Sequence, residues 1–258
     1  MSVGQPTWVL ASDIDNTLTG ARAALRALVT ELAALRRAGK LFLALSTGRR
    51  LGQVLAGVDE EDLPQSDAVI SQVGTEIYLP PFKESMAPLP AWERRLRRSF
   101  SRQQALTFLQ GIDGLQMQPE MYNTPLKVSA FLDQAPRPEA AVKAIRQRIK
   151  EAGAAGSYQV IWSSGRDLDI IPAAAGKGNA IRFLLDHLQL EPQMVIVAGD
   201  SGNDRSMFEM FEHGIIVANA QPELRALRQN GRSTHYMARR PSAAGVREGL
   251  RHFGVLDS

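Results

Sequence analysis

The chain of 258 residues contains no cysteine, which excludes disulfides, thiolate metal sites and cysteine nucleophiles together. That absence fits a reducing compartment, and a cytoplasmic protein is expected. No apolar run reaches the ~18 residues of a membrane span, and no basic stretch followed by an apolar one opens the chain, so no membrane or export role is expected. Four histidines are too few to favour a soft nitrogen-ligand site. Charge of one sign is also lacking: 30 Lys and Arg face 27 Asp and Glu, for a net charge of +3. No nucleic-acid partner is indicated. The one dense basic run, Arg94-Arg95-Leu96-Arg97-Arg98 with Arg102 beyond, is poorly interleaved with aromatics and reads as a solvated face of a helix starting near Pro90. What the chain does have is 44% hydrophobic residues, enough for a substantial core.

The apolar residues are patterned. Trp8-Val9-Leu10 opens as a buried strand, and Leu25, Leu28, Val29, Leu32 and Leu35 recur at helical spacing between Ala21 and Lys40, with Gly39 as a stop. Leu41 to Ser46 is a continuous apolar strand of the kind covered on both faces in a parallel sheet. A helix over about Leu51 to Ala56, a strand over Asp67 to Ser71, and strands over Met194 to Ala198 and Gly214 to Ala218 continue the alternation. The fold class is therefore α/β, a doubly wound parallel sheet. From about residue 81 to 171 the texture changes: Leu126 to Leu132 alternates like a half-exposed strand, a helix follows from Pro138 to Ala152, and strands are expected over Tyr158 to Trp162 and Asp167 to Ile171. This stretch is expected to be an inserted α+β cap domain, leaving 1–80 plus 172–258 as the catalytic core.

Ligands of open parallel sheets sit beyond the carboxyl ends of the strands. There the chain places Asp13 and Asp15, then Ser46-Thr47-Gly48-Arg49, then Gln72-Val73-Gly74-Thr75, then Gly199-Asp200-Ser201-Gly202-Asn203-Asp204. Asp13 and Asp15 share one strand face with Cβ atoms within ~7 Å, so they demand a cation. Lys177, in Gly176-Lys177-Gly178 ahead of a helix from Ile181 to Leu188, supplies one charge, and the oxygen ligands Asp13, Asp15 and Asp200 suit a hard divalent ion, favouring Mg²⁺. A calcium loop is ruled out because Leu18 and Ala24 stand where glycine and glutamate are needed. A P-loop is ruled out because Gly178 and Ile171 stand where Ser or Thr and glycine are needed.

This constellation resembles the haloacid dehalogenase superfamily of phosphatases. The resemblance implies that Asp13 accepts the phosphoryl group and that Asp15 protonates the leaving oxygen and then activates water. It also implies that Asp13, the Asp15 carbonyl and Asp200 hold Mg²⁺ with Asn203 or Asp204 completing or orienting the shell, and that Thr47 and Lys177 bind phosphoryl oxygens. Within that superfamily Asp15-Asn16-Thr17, Gln72 to Ile77, Leu126-Lys127-Val128-Ser129, Asp167 to Pro172 and Val217 to Gln221 resemble sucrose-phosphate phosphatases. Ser163 to Asp169 is equally similar to mannosylfructose-phosphate phosphatases. The implied substrate is a phosphorylated disaccharide, and the implied pathway neighbour is the glycosyl-phosphate synthase that makes it. Candidate sugar contacts are Gln118, Tyr122, Lys127, Arg166 and Asp167 from the cap, with Gly48, Gly74, Thr75 and Glu76 at the strand ends and hinge. A phospho-accepting receiver would need neither Asp15 nor a cap, and a phosphosugar mutase would keep the whole site.

Overall fold

The computed structural model describes residues 5–227 and 234–257. Unalternating apolar runs form β1 (Trp8–Ser12) and β2 (Leu41–Ser46), and between them α1 (Arg22–Arg37) turns Leu25, Leu28 and Leu32 into the core. Arg36 and Arg37 occupy the last turn of α1, beside its unpaired carbonyls. Helix α2 (Leu51–Glu60) runs past the expected end at Ala56, and β3 (Ala68–Ser71) is followed by β4 (Glu76–Tyr78). Then come α3 (Pro90–Leu96), α4 (Arg102–Leu109), β5 (Gln116–Met117), β6 (Val128–Phe131), α5 (Pro138–Glu151), β7 (Tyr158–Ser163) and β8 (Asp167–Pro172). The chain closes with α6 (Lys177–Leu188), β9 (Met194–Gly199), α7 (Arg205–Met210), β10 (His213–Ile216), α8 (Pro222–Arg225), β11 (Tyr236–Met237) and α9 (Ser242–His252).

The larger sheet has the order β11-β10-β9-β1-β2-β3-β4 and is parallel apart from β4, which runs antiparallel to β3 at one edge. The chain builds outward from β1 in one direction through β2 and β3, and in the other through β9 and β10, so β1 is the topological switch point. Its register is level with both neighbours: Ser12 pairs with Leu45 and with Ala198. The residues that follow these three strands therefore emerge together at one edge.

The smaller sheet, β5-β6-β8-β7, is antiparallel. It has its own core, in which Phe108 and Leu109 of α4 and Val142, Ile145 and Ile149 of α5 meet Val128, Leu168 and Ile170. Strand β6 is buried at Val128, Ser129 and Ala130, and so is not the half-exposed strand that its alternation suggests. The change of core also falls later than residue 81. Trp92 and Leu96 pack in the first core, Trp92 with its ring centroid 4.8 Å from that of Phe183 and its indole N–H donating to the Gly74 carbonyl at 3.1 Å. The second core begins at Ala105. The basic run likewise leaves its helix, since α3 stops at Leu96 before Arg97 and Arg98.

Trp92→Ala is expected to lower stability by ~3–5 kcal/mol in urea denaturation, as for other buried tryptophans. A loss under about 1 kcal/mol would show that residues 81–96 do not belong to the first core.

Candidate active site

The floor of the site is built from buried charge. Asp13, still anchored to the sheet by its N–H to the Ala198 carbonyl at 2.9 Å, is 4% exposed, and Lys177 and Asp204 are fully buried. The Lys177 ammonium donates to Asp13 Oδ1 at 2.6 Å and to Asp204 Oδ1 at 2.5 Å. Asp204 Oδ2 accepts the backbone N–H groups of Asp200 and Ser201 at 2.9 and 3.0 Å. The Thr17 hydroxyl donates to Asp200 Oδ1 at 3.4 Å. Burial by itself disfavours the Lys177 ammonium, but the charges of Asp13 and Asp204 outweigh it and hold the group above its usual range. Burial also pushes the Asp13 carboxyl well up, opposed by Lys177 and reinforced by Asp204 and Asp200. Asp200 is pushed up to about 7, first by burial and then by the charge of Asp204.

Asp13, Asp200 and Asp204 each offer an oxygen within 4.8 Å of one another. Three carboxylates against one ammonium leave an excess of two negative charges in a buried site, which a divalent cation fits in charge and in hard-oxygen chemistry. Both Asp204 oxygens already have partners. Asp13 Oδ1 is taken by Lys177 and Asp200 Oδ1 by Thr17, which leaves Oδ2 of Asp13 and of Asp200 as the cluster's oxygens without a hydrogen-bond partner among the described residues. Asn203 lines the cavity above, with Oδ1 accepting from the Ser201 hydroxyl at 3.4 Å.

Asp15 stands apart from this floor. The Ile14 carbonyl accepts the N–H groups of Thr17, Leu18 and Thr19, and this turn, with Asn16 at φ 59°, lifts Asp15 off the strand line. Its side chain is 53% exposed and both its oxygens accept from Arg49, Oδ1 from Nη2 at 2.7 Å and Oδ2 from Nε at 3.1 Å. Arg49 is held from the other side by Glu61, at 2.6 and 2.9 Å. This pairing was not anticipated, although Arg49 directly follows the Ser46-Thr47-Gly48 strand end; its partners are distant in sequence.

Above the floor lies a cavity of about 750 Å³ between the two sheets. Asp13, Asp15, Gly48, Asp200 and Asn203 line it from the core, and Gln118, Tyr122, Lys127, Arg166 and Asp167 from the insert. Gln118 donates to Asp167 Oδ1 at 3.0 Å, and the Arg166 guanidinium carbon lies 4.3 Å from the Phe131 ring centroid. Lys127, 3% exposed, is 3.4 Å from Asp169, which also accepts the Ser129 hydroxyl at 2.5 Å. Burial pushes the Asp167 carboxyl up, against the charge of Arg166.

Thr47 lies beneath the cavity rather than on its surface, fully buried, with Oγ1 accepting the Arg49 N–H at 3.1 Å. Gly74, Thr75 and Glu76 do not line the cavity, which corrects their expected contact with sugar. The Thr75 hydroxyl is spent on the Gln72 carbonyl, and Glu76 accepts from Ser71 and Tyr78. Gly74 has φ 85°, and a Cβ there would lie 2.3 Å from the Gly176 carbonyl carbon. Its service is to let the β3 turn press against the entry to α6. Ser163, Ser164 and Ser201 also reach the cavity.

The doubly wound sheet with its α+β insert is the haloacid dehalogenase fold, and the chain's relatives make it a phosphoric monoester hydrolase of that fold. The chain belongs to the sucrose-6F-phosphate phosphohydrolase family, which matches residues 6–254. It is 36% identical over 253 residues to mannosylfructose-phosphate phosphatase of Agrobacterium fabrum, covering 97% of this chain and 98% of that protein. It is 33% identical over 221 residues to sucrose-phosphatase 1 of Nicotiana tabacum, covering 83% of this chain and 51% of the plant protein, so it spans about half the length of that relative. The crystal structure of the Synechocystis sucrose-phosphatase, in complex with sucrose and phosphate, superposes with a TM-score of 0.87 at 34% identity, covering 96% of this chain and 98% of that one.

The raised Asp200 has a consequence for stability. Its folded value of about 7 lies above the ordinary 3.8, so its contribution is fully present below 3.8 and is lost as pH rises through about 7. In EDTA the protein is therefore expected to melt lower at about pH 8 than at about pH 6, with a divalent cation restoring more at the higher pH. Asp200→Asn should flatten this slope and abolish the cation's effect in the same thermal melts; an unchanged slope would assign the pH dependence elsewhere.

Proposed function

We propose that the protein hydrolyses a phosphorylated disaccharide, with sucrose 6-phosphate the first candidate, to the free sugar and inorganic phosphate. The supporting observation is the cavity: about 750 Å³ of polar-lined space over a charged floor, far more than a phosphate needs and within the range for an enclosed organic ligand. Mannosylfructose phosphate is the second reading, favoured by the end-to-end similarity to the Agrobacterium enzyme.

In this mechanism an Asp13 oxygen attacks phosphorus while the bond from phosphorus to the sugar oxygen breaks and Asp15 gives its proton to that oxygen. Water then attacks the aspartyl phosphate, Asp15 takes the water's proton, and phosphate leaves with Asp13 regenerated. Lys177 fixes the Asp13 carboxylate, and Gly48 lines the pocket beside it while the Thr47 hydroxyl oxygen beneath holds the Arg49 N–H. Asp15 must turn from Arg49 to reach the leaving oxygen, since both its oxygens are committed there. Mg²⁺ is the ion we assign to Asp13 and Asp200, with Asn203 beside them; when bound it offsets the charge that keeps a phosphate dianion from a carboxylate, a repulsion of ~4 kcal/mol per unit pair at 4 Å.

We assign the lid to the smaller sheet with α4 and α5, beginning after Leu96, and the sugar hydroxyls to Gln118, Tyr122, Lys127, Arg166 and Asp167. A phosphorylated disaccharide has to be made by glycosyl transfer before it can be hydrolysed, so a glycosyl-phosphate synthase in the same cytoplasmic setting is the pathway neighbour in this reading.

Phosphate release from sucrose 6-phosphate, mannosylfructose phosphate, glucose 6-phosphate and fructose 6-phosphate, with Mg²⁺ or EDTA, tests the proposal. One of the two disaccharide phosphates should be preferred, EDTA should abolish release, and Asp13→Asn should lower kcat by at least ~10³-fold. Preference for a monosaccharide phosphate would overturn the substrate, and full activity of Asp13→Asn would overturn the nucleophile.

A further inference from the structure

Sugar contacts were expected from the insert and from the strand ends and hinge, yet α2 of the core forms the wall that faces the insert. Gln53, Ala56 and Glu60 stand at i, i+3 and i+7 on one helical face, and all three line the cavity. At 1.5 Å per residue, this strip extends the cavity ~10 Å along the helix. Arg49 lies along the same helix, over Gly57, where a Cβ would sit 3.3 Å from Arg49 Nη1 and would collide with Leu63 Cδ1 at 2.6 Å. Arg49 in turn carries Asp15. Asp15 lines the same cavity as these three residues, and a proton donor must come within hydrogen-bond reach of the oxygen it protonates, so the sugar bearing that oxygen occupies the space that α2 walls.

We propose that Gln53, Ala56 and Glu60 of α2 form a core-side subsite for the leaving sugar, with Ala56 setting the room available to it. The inference rests on the disaccharide reading above. The chemistry of the strip suits a carbohydrate. Gln53 accepts the Arg50 N–H at 3.0 Å and donates to the Tyr122 hydroxyl at 3.2 Å, which leaves one amide N–H for a ligand and ties the subsite to the insert. Glu60 spends its backbone carbonyl on Arg22 at 3.1 Å, and its carboxylate is available to hydroxyl donors at the cavity edge. Between them the exposed methyl of Ala56 gives the C–H face of a sugar ring an apolar seat, and it is the position at which added bulk would shorten the cavity.

Ala56→Phe and Glu60→Gln change exposed positions and test this directly. The quantity to measure is kcat/KM for the preferred disaccharide phosphate divided by kcat/KM for p-nitrophenyl phosphate, a ratio that cancels any loss of active enzyme. Ala56→Phe should lower the ratio by about tenfold or more, carried by KM, in the way that added bulk in a pocket discriminates substrates. Glu60→Gln should lower it by about threefold, as for one lost hydrogen bond. A ratio within about twofold of wild type in both variants would overturn the α2 assignment. A wild-type protein that released phosphate from no disaccharide phosphate would instead overturn the substrate reading, so the two failures are distinguishable.

Discussion

The site depends on three buried carboxylates sharing one buried ammonium. The register of β1 with β9 brings Asp13 and Asp200 out of the sheet side by side, and the short loop after β9 returns Asp204 against them. At an effective dielectric near 20, each close pair of like charges costs ~4 kcal/mol, so the cluster stands only because Lys177 bridges two of its members and two backbone N–H groups satisfy Asp204. The position of Lys177 shows where the constraint acts. It is the first residue of α6, where the helix dipole repels a cation. A helix serving only the core gains nothing from lysine there, whereas one that must deliver an ammonium into a carboxylate cluster has to carry it at that end.

Asp15 obeys a different rule. Half-exposed and clamped by Arg49, it can exchange partners without unburying a charge, whereas the Asp13–Lys177 pair cannot. The site thus separates a fixed floor from an adjustable rim. The insert meets the core through polar contacts that include Gln53 to Tyr122 at 3.2 Å, the Ser164 N–H to Glu223 at 3.4 Å and the Gln159 amide to the Ala175 carbonyl at 2.9 Å, with Leu126 and Ile161 packed on the first core.

The fold was legible wherever one element carried its own pattern. Helical spacing marked α1, unbroken apolar runs marked β1, β2 and β9, and the polar residues just beyond those strands marked the floor. What escaped was long-range. Strands β4, β5 and β11 are too short for a periodic signal and exist through their neighbours. Trp92 follows the apparent start of the insert yet reaches back to Gly74 and Phe183, which no local pattern encodes. Gly74, Thr75 and Glu76 looked like ligand contacts because they are polar or small at a strand end, but their groups are consumed by the turn itself. Arg49 stood among the polar residues at the end of β2, but its pairing with Asp15 and Glu61 had no local signal because they meet it only in the folded chain.

Charge bookkeeping explains why recognition is left to the walls. Three carboxylates and one ammonium sum to minus two, and a divalent cation brings the floor to zero. A phosphate dianion then meets a neutral floor whose donors are fixed in advance, and any phosphate monoester satisfies it equally. Discrimination between one sugar and another must therefore come from surfaces beyond the phosphoryl group, where a hydroxyl pairs with an amide or carboxylate or leaves it unpaired and desolvated. The insert offers amide, hydroxyl and charged groups for this, and α2 offers a helical strip whose spacing is fixed by backbone geometry rather than by loop conformation. A strip fixed by helix geometry opposite an insert of amide, hydroxyl and charged groups gives the cavity two unlike walls, and it is the sugar rather than the phosphoryl group that such walls can tell apart.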